Sequence, residues 1–290
     1  MKKNILYVSP FSNMGGAELS IITLIQSLDP DIFSARLLCY EKGPFIERIA
    51  QLGIEYDVFE RTTFFSNFVI ILKLYRYMRQ HRIDMVHVNS LDIRAALAAR
   101  LAGVKLVGHL RVIIPFTWRD RFFVILSHAV ISVSYAAKNV LLKGISFCKK
   151  KFFIIPCAIQ DPGEVIPADL CAEYGLPQDA QRIGLVGRID PFKGHEVFID
   201  AATRIARALP NAYFFIIGSP NPHVEAECAY LQRLHAQVKA SGIERRFIFT
   251  GFRSDIMEVI AGLSLIVVPS LQLQSAGGVK GEGFGRVAAE

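Results

Sequence analysis

Short runs that are apolar throughout alternate with stretches of helical periodicity along the whole chain, and this alternation restricts the fold more than any other feature. In the first half the strand-like runs are Ile5–Val8, Ala35–Tyr40, Ile54–Phe59, Met85–Val88, Lys105–His109, Val130–Val133 and Phe153–Ile155. Between them Ala17–Leu28, Phe45–Leu52, Phe68–Gln80, Ile93–Ala102 and Tyr135–Leu142 read as helices. Strands without polar alternation are buried on both faces, which calls for a parallel sheet with helices on either side. A second series starts near Arg182, with strands at Ile183–Val186, Tyr213–Ile217, Phe247–Thr250 and Leu265–Val268. Its helices are Glu196–Ala208, Val224–Ser241 and Asp255–Ala261. Pro156–Asp179, between the two series, carries Pro156, Pro162, Pro167, Pro177, Gly163 and Gly175, the composition of a linker. The expected architecture is α/β, with two Rossmann-like domains at 1–160 and 181–290 joined through 161–180. Four strands make a thin second sheet, and Gly285–Glu290 reads as a helix that has only begun. The second domain is therefore expected to be truncated.

The remaining bounds come from composition. With 52% apolar and 20% charged residues, the 290-residue chain has ample material for buried cores and no case for disorder. Mean hydropathy is high at +0.33, yet no apolar run approaches the ~20 residues that span a bilayer. Lys2 and Lys3 precede only the brief stretch Ile5–Val8, unlike a signal peptide. The five cysteines are scattered without a CxxC pair, as in a reduced cytoplasmic protein with neither a disulfide frame nor a zinc site. Residues 1–160 hold 21 Lys and Arg against 11 Asp and Glu, whereas residues 161–290 hold 12 against 15. A basic half beside a slightly acidic one points to an anionic partner for the first: phosphates, a lipid surface or nucleic acid. Nucleic-acid binding would rest on charge alone, because no recognised module accompanies it, and none is expected.

Three loops carry candidate chemistry. After the first strand, Gly15 and Gly16 lead into a helix, where backbone can approach a ligand closely at the helix N-terminus. The alternative is a plain turn that needs glycine for a positive φ. The spacing is not the GxGxxG dinucleotide fingerprint, and Glu41 is a poor substitute for its ribose acid, which disfavours a nicotinamide-dependent oxidoreductase. In the second series, Gly187-Arg188-Ile189-Asp190-Pro191-Phe192-Lys193-Gly194 follows a strand and precedes a helix. Two cations there can grip a diphosphate, Arg188 as a fork and Lys193 as a point charge, where open α/β sheets bind their ligands. The third stretch is Gly281-Glu282-Gly283-Phe284-Gly285-Arg286-Val287-Ala288-Ala289-Glu290. Its two acids can accept hydroxyl hydrogen bonds from a sugar and a ribose while glycine N–H groups hold phosphate. Read blandly, it has one loop acid and one solvated helix acid. His109 ends its strand, is followed by Arg111 and faces the expected cleft, although a lone histidine is more often structural; His87 reads as a packed histidine.

On a helical wheel of Phe68–Gln80, Ile70, Ile71, Leu74, Tyr75, Tyr77 and Met78 cover one arc and Lys73, Arg76 and Arg79 the opposite one. Such a helix either packs on the sheet or lies at an anionic membrane surface. Phe64, Phe65 and Phe68 just ahead of it favour the membrane.

Taken in order, these motifs resemble the retaining glycosyltransferases of family 4, along the chain from Met1 to Glu290. The resemblance is most specific at Gly15-Gly16-Ala17-Glu18, at Gly187-Arg188 with Lys193-Gly194, and at Glu282–Glu290, which is similar to the family's E-x7-E signature. Phe249-Thr250-Gly251-Phe252 and Pro269-Ser270 are supporting matches. It implies the GT-B fold, two Rossmann-like domains facing a cleft. It also implies a nucleotide-sugar co-substrate whose diphosphate is held by Arg188, Lys193 and the Gly15-Gly16 backbone, with Gly283, Phe284, Gly285 and Arg286 completing the donor loop. Glu290 would bind the ribose, and Glu282 would touch the donor sugar. His109 matches the histidine that lines the cleft near the transferred sugar. No metal and no other cofactor is implied, since Arg188 and Lys193 can stabilise the leaving phosphate charge.

The acceptor implied is a lipid-linked or cell-surface glycan of polysaccharide biosynthesis. Lys73, Arg76 and Arg79 would rest on the anionic inner face of a membrane. One departure is Pro156-Cys157-Ala158-Ile159-Gln160, where family members usually have a Pro-Asn-Gly-x-Asp turn. Two alternatives share the fold, a nucleotide-sugar 2-epimerase and a catalytically inactive nucleotide- or membrane-binding module. E-x7-E opposes the first. For the second, intact Arg188, Lys193 and Glu290 argue against lost donor binding, while the expected truncation argues for lost activity.

Overall fold

A computed structural model describes residues 2–12, 14–60, 66–113, 116–159, 161–222, 224–275 and 278–289. The chain divides into two compact units, Met1–Ile159 with Gln274–Phe284, and Gln160–Leu273 with Gly285–Glu290. The stretch Gln274–Phe284 was expected in the second domain from its order in the chain. It belongs instead with the first unit, because Val279 packs on that unit's core and Gly281 pairs with Ile113.

The first unit is built as β1 (Lys3–Ser9), α1 (Gly16–Gln26), β2 (Phe33–Cys39), α2 (Pro44–Gln51), β3 (Glu55–Val58), α3 (Ser66–Gln80), β4 (Met85–Val88), α4 (Ile93–Ala102), β5 (Lys105–Leu110), α5 (Trp118–Leu126), β6 (Ala129–Ser132), α6 (Tyr135–Leu142) and β7 (Phe152–Ile154). Its seven strands lie parallel in the order β3-β2-β1-β4-β5-β6-β7. The expectation of a sheet covered on both faces holds at the central strands, while the edge strands β3 and β7 leave Tyr56 and Phe153 exposed. On β1, Ile5 and Tyr7 enter a core with Ile21, Ile25, Phe45 and Ile49 of α1 and α2, while Leu6 and Val8 enter a core with Ile70, Leu74, Ala95 and Phe123 of α3, α4 and α5. The apolar arc of α3 is therefore committed to the sheet. Local signals set the helix ends. The Asp92 side chain caps α4 by accepting from the Arg94 N–H at 2.9 Å, and Gly103 ends it in the left-handed region.

The second unit holds α7 (Leu170–Tyr174), β8 (Gln181–Val186), α8 (His195–Ala208), β9 (Ala212–Ile217), α9 (Glu225–Ala240), β10 (Phe247–Gly251), α10 (Ile256–Gly262) and β11 (Leu265–Ile266). These strands are parallel in the order β10-β9-β8-β11. Phe214 and Ile216 of β9 face α8 and α9, and Phe215 and Ile217 face the other side with Leu170 and Val259. Pro156–Asp179 is thus more than a linker, since its α7 buries Leu170 and Cys171 fully. Two short strands unforeseen in the sequence follow, β12 (Leu273–Ser275) and β13 (Gly278–Lys280), which pair with each other. Where a helix start was expected, Arg286–Ala288 forms a 3-10 turn between Gly285 and Ala289.

Both sheets reverse strand order beside their first strand, between β1 and β4 and between β8 and β11. In open α/β sheets such a switch opens a crevice beyond the carboxyl ends of the strands, where ligands bind.

Candidate active site

In the first unit, candidate residues gather at the carboxyl ends of β1, β4 and β5. His87 on β4 stands beside Tyr7 of β1 in register, and their rings lie 5.0 Å apart. Two residues past the β5 partner of His87 comes His109, so both imidazoles occupy one face of the sheet. His87 Nε2 lies 3.1 Å from His109 Nδ1, with the residues only 4% and 7% exposed. Burial lowers their pKa values to about 3 and about 2, and the Arg111 guanidinium pushes them the same way, so both rings are neutral. Arg111, itself buried, donates from Nε to Asn89 Oδ1 at 2.6 Å and from a terminal nitrogen to Cys157 Sγ at 3.5 Å. Cys157 thus carries an interaction at the position where the turn sequence departs from the family pattern. His109 Nε2 is buried without a hydrogen-bond partner among the described residues.

The Glu282-Gly283 backbone runs alongside Arg111 and Ile113. The Gly281 N–H donates to the Ile113 carbonyl at 2.9 Å. A Cβ on Gly283 would lie 2.9 Å from the Arg111 carbonyl carbon and 3.1 Å from Val112 Cα, closer than real side chains come. Glycine is needed there for close backbone approach. Within this unit the fold therefore joins His109 to Glu282 and Gly283 through Arg111, and Phe284 ends the same segment.

Gly15 and Gly16 stand at the start of α1, as expected. Gly15 has φ −157°, and neither residue has a positive φ, so the plain-turn explanation for glycine fails. What glycine supplies is an uncovered helix start, since Gly15 has no side chain to place over the first turn.

In the second unit, Arg188 and Lys193 share the loop from β8 to α8. Ile189 between Arg188 and Asp190 is fully buried in the core, which leaves Arg188 55% exposed. Asp190 is buried; it accepts from the Phe192 N–H at 3.2 Å and pairs with Arg188 at 3.2 Å. Glu227, in the first turn of α9, faces Arg188 Nε at 3.6 Å. Sequence reasoning missed Glu227 because helix α8, strand β9 and the loop after it lie between, with no local signal linking it to Arg188. Lys193 Nζ sits 5.2 Å from the Phe192 ring centre. The Leu271 N–H donates to the Phe192 carbonyl at 2.7 Å, tying the Pro269–Leu271 stretch to this loop.

Gly194 has φ +78°, and a Cβ on it would meet the Pro269 carbonyl, so only glycine fits. His195 behind it is wholly buried; burial holds it down at about 4, against a smaller upward pull from the Asp190 backbone. Gly285 and Arg286 open the last 3-10 turn, with Gly285 left-handed. Glu290, the second acid of E-x7-E, lies outside the described residues.

Of the basic face of α3, Lys73, Arg76 and Arg79 are exposed, and Phe68, Val69 and Leu72 are exposed beside them. Phe64 and Phe65 lie outside the described residues. Among the described residues no helix is long and apolar enough to cross a membrane, and no three His, Cys, Asp or Glu side chains converge as metal ligands do.

Residues 14–161 match the family model described as Glycosyltransferase Family 4, and residues 169–290 match the one described as Glycosyl transferases group 1. An Escherichia coli relative, UDP-Gal:alpha-D-GlcNAc-diphosphoundecaprenol alpha-1,3-galactosyltransferase, is 22% identical over 93% of this chain and 74% of its own length. Among solved structures, Anabaena Alr3699/HepE in complex with UDP superposes with a TM-score of 0.78 at 24% identity, covering 99% of this chain and 77% of that one. A glycosyltransferase from Rickettsia africae superposes at 0.80 with 18% identity, covering 93% and 74%. These likenesses bear out the two Rossmann-like domains.

Proposed function

The chain belongs to glycosyltransferase family 4, and on that premise we propose that this glycosyltransferase is a retaining enzyme that moves a sugar from a UDP-sugar to a lipid-linked diphosphate acceptor in polysaccharide biosynthesis. The observation that carries the donor half is the β8–α8 loop, which aims Arg188 outward from a buried Ile189-Asp190 anchor at the sheet's switch point. Uridine is favoured because UDP is the ligand bound to HepE and the E. coli relative uses UDP-Gal. The lipid-linked acceptor follows the diphosphoundecaprenol in that relative's name.

In this reading Arg188 and Lys193 hold the diphosphate, the start of α1 at Gly15-Gly16 adds helix-dipole attraction, and the Gly283–Arg286 stretch closes over the phosphate. Glu290 takes the ribose hydroxyls. Glu282 and His109 contact the donor sugar. The bond from the sugar C1 to the diphosphate oxygen breaks while the acceptor oxygen bonds to C1 on the same face. The acceptor hydroxyl proton passes to the departing phosphate oxygen. Negative charge grows on the diphosphate in that step, and two fixed cations stabilise it more than they stabilise the bound donor, which is the condition for catalysis. No metal is assigned a part. The exposed Lys73, Arg76 and Arg79 with Phe68, Val69 and Leu72 suit peripheral attachment to an anionic cytoplasmic leaflet, where a lipid-linked acceptor is presented.

Calorimetric titration with UDP, GDP and ADP tests the donor assignment. Selective binding of UDP is expected, and equal affinity for all three, or binding of none, refutes it.

A further inference from the structure

His87 takes no part in the chemistry above, yet its Nε2 sits at hydrogen-bond distance from His109 Nδ1. A hydrogen bond between two neutral imidazoles needs one proton between the facing nitrogens, so the ring that donates settles where the other keeps its own proton. If His87 Nε2–H donates, His109 Nδ1 accepts, and the single proton of His109 is on Nε2. In the reverse arrangement His109 donates from Nδ1, and its Nε2 is a bare acceptor. Neutral histidine prefers its proton on Nε2. The first arrangement puts both rings in that form, and the second puts neither.

The surroundings keep both rings neutral. Arg111 is the cation beside the pair, and the Tyr7 ring packs on His87. A ring nitrogen that is buried and finds no partner among the described residues is the remaining functional end of this pair, and it belongs to His109.

We propose that His87 is a positioning residue: by donating from Nε2 to His109 Nδ1 it locks His109 as the Nε2–H tautomer, which presents a hydrogen-bond donor to an oxygen of the donor sugar. The sugar contact rests on the reading of His109 given above. The locking of the tautomer rests on the geometry of the pair alone.

Two substitutions of nearly equal shape separate donor from acceptor. His87→Gln keeps an N–H near the position of Nε2, and His87→Glu puts an acceptor there. Nitrogen-15 spectra of histidine-labelled protein read the His109 tautomer directly, without ligand. The unmodified protein and His87→Gln are expected to show the proton on Nε2, and His87→Glu is expected to move it to Nδ1. Calorimetry then compares UDP-galactose and UDP-glucose with UDP. The preference for UDP-sugar over UDP should fall about tenfold in His87→Glu, the order of one neutral hydrogen bond, and stay within threefold in His87→Gln. A purely structural role would weaken UDP and UDP-sugar alike.

An Nδ1–H tautomer in the unmodified protein, or the same tautomer in both variants, overturns the proposal. So does a tautomer that moves while the sugar preference stays, when His109→Ala lowers that preference. If His109→Ala leaves the preference intact as well, the sugar contact assigned to His109 fails, and the proposal with it.

Discussion

Gly194 offers a test in which two identical substitutions differ only in what surrounds them. Gly194 and Gly242 are both left-handed, at φ +78° and +74°, and both lie in the second unit. A Cβ on Gly242 meets nothing within 4 Å. A Cβ on Gly194 would lie 2.9 Å from the Pro269 carbonyl carbon, 3.2 Å from Pro269 Cβ and closer still to the carbonyl oxygen. Alanine in the left-handed region costs about 1–2 kcal/mol, and a less flexible unfolded chain returns about 0.4–1 kcal/mol. Gly242→Ala should therefore destabilise by roughly 1 kcal/mol. Gly194→Ala adds an overlap with backbone that no rotamer change relieves, about 1–3 kcal/mol more. The sole tryptophan, Trp118, is in the first unit, so its fluorescence will not report the change. Native-state hydrogen exchange at Leu185 and Ile216 in β8 and β9 will. Protection should drop by about fivefold for Gly242→Ala and by a further factor of roughly 5–150 for Gly194→Ala. Equal losses would mean that the Pro269 carbonyl does not confine the loop that carries Arg188 and Lys193.

Arg188→Ala should weaken UDP binding by 1 kcal/mol or more, the order of a charge-assisted hydrogen bond; unchanged affinity in a titration would remove Arg188 from the donor site. Arg76→Glu combined with Arg79→Glu should lower co-sedimentation with anionic vesicles by about tenfold or more, at ~1 kcal/mol for each charge near the surface; equal sedimentation would detach α3 from the membrane reading. His87, His109 and His195 have folded pKa values depressed to about 3, 2 and 4, so the fold resists protons that the unfolded chain takes up below about 6.5. Stability should be whole above that pH and fall as pH is lowered, by about 2 kcal/mol per ring at pH 5. Two of the rings lie in the first unit and one in the second, so urea titrations should show the steeper loss where Trp118 reports, and a flat profile from pH 7 to 5 would refute the neutral buried pair.

Strands and helices whose apolar pattern faces a sheet were legible in the sequence, and so was the placement of Arg188 and Lys193 at a strand end. Helix α5 was not, because Phe122–Ser134 scans as one apolar run. A start signal was nonetheless present: Asp120 accepts hydrogen bonds from both the backbone N–H and the hydroxyl of Thr117, each at 2.6 Å. The His87–His109 bond was illegible for a different reason. It depends on the register that sets β4 beside β5, and a strand's sequence does not state its neighbour. The burial of Leu170 and Cys171 was hidden by the prolines around them. The pairing of Arg188 with Glu227 spans helix α8, strand β9 and their loops, which no local pattern crosses.

Because Gln274–Phe284 completes the first unit, that unit is not contiguous along the chain. During synthesis the seven-stranded sheet emerges well before Val279 and Gly281 exist to cover its core and meet Ile113. At about 5–20 residues per second the gap lasts on the order of ten seconds. Throughout that interval the ribosome holds a first domain whose Arg111–Ile113 edge is exposed. A chain cut after Ile159 would keep that edge exposed permanently, so the N-terminal half expressed alone is a poor stand-in for the domain it nearly contains.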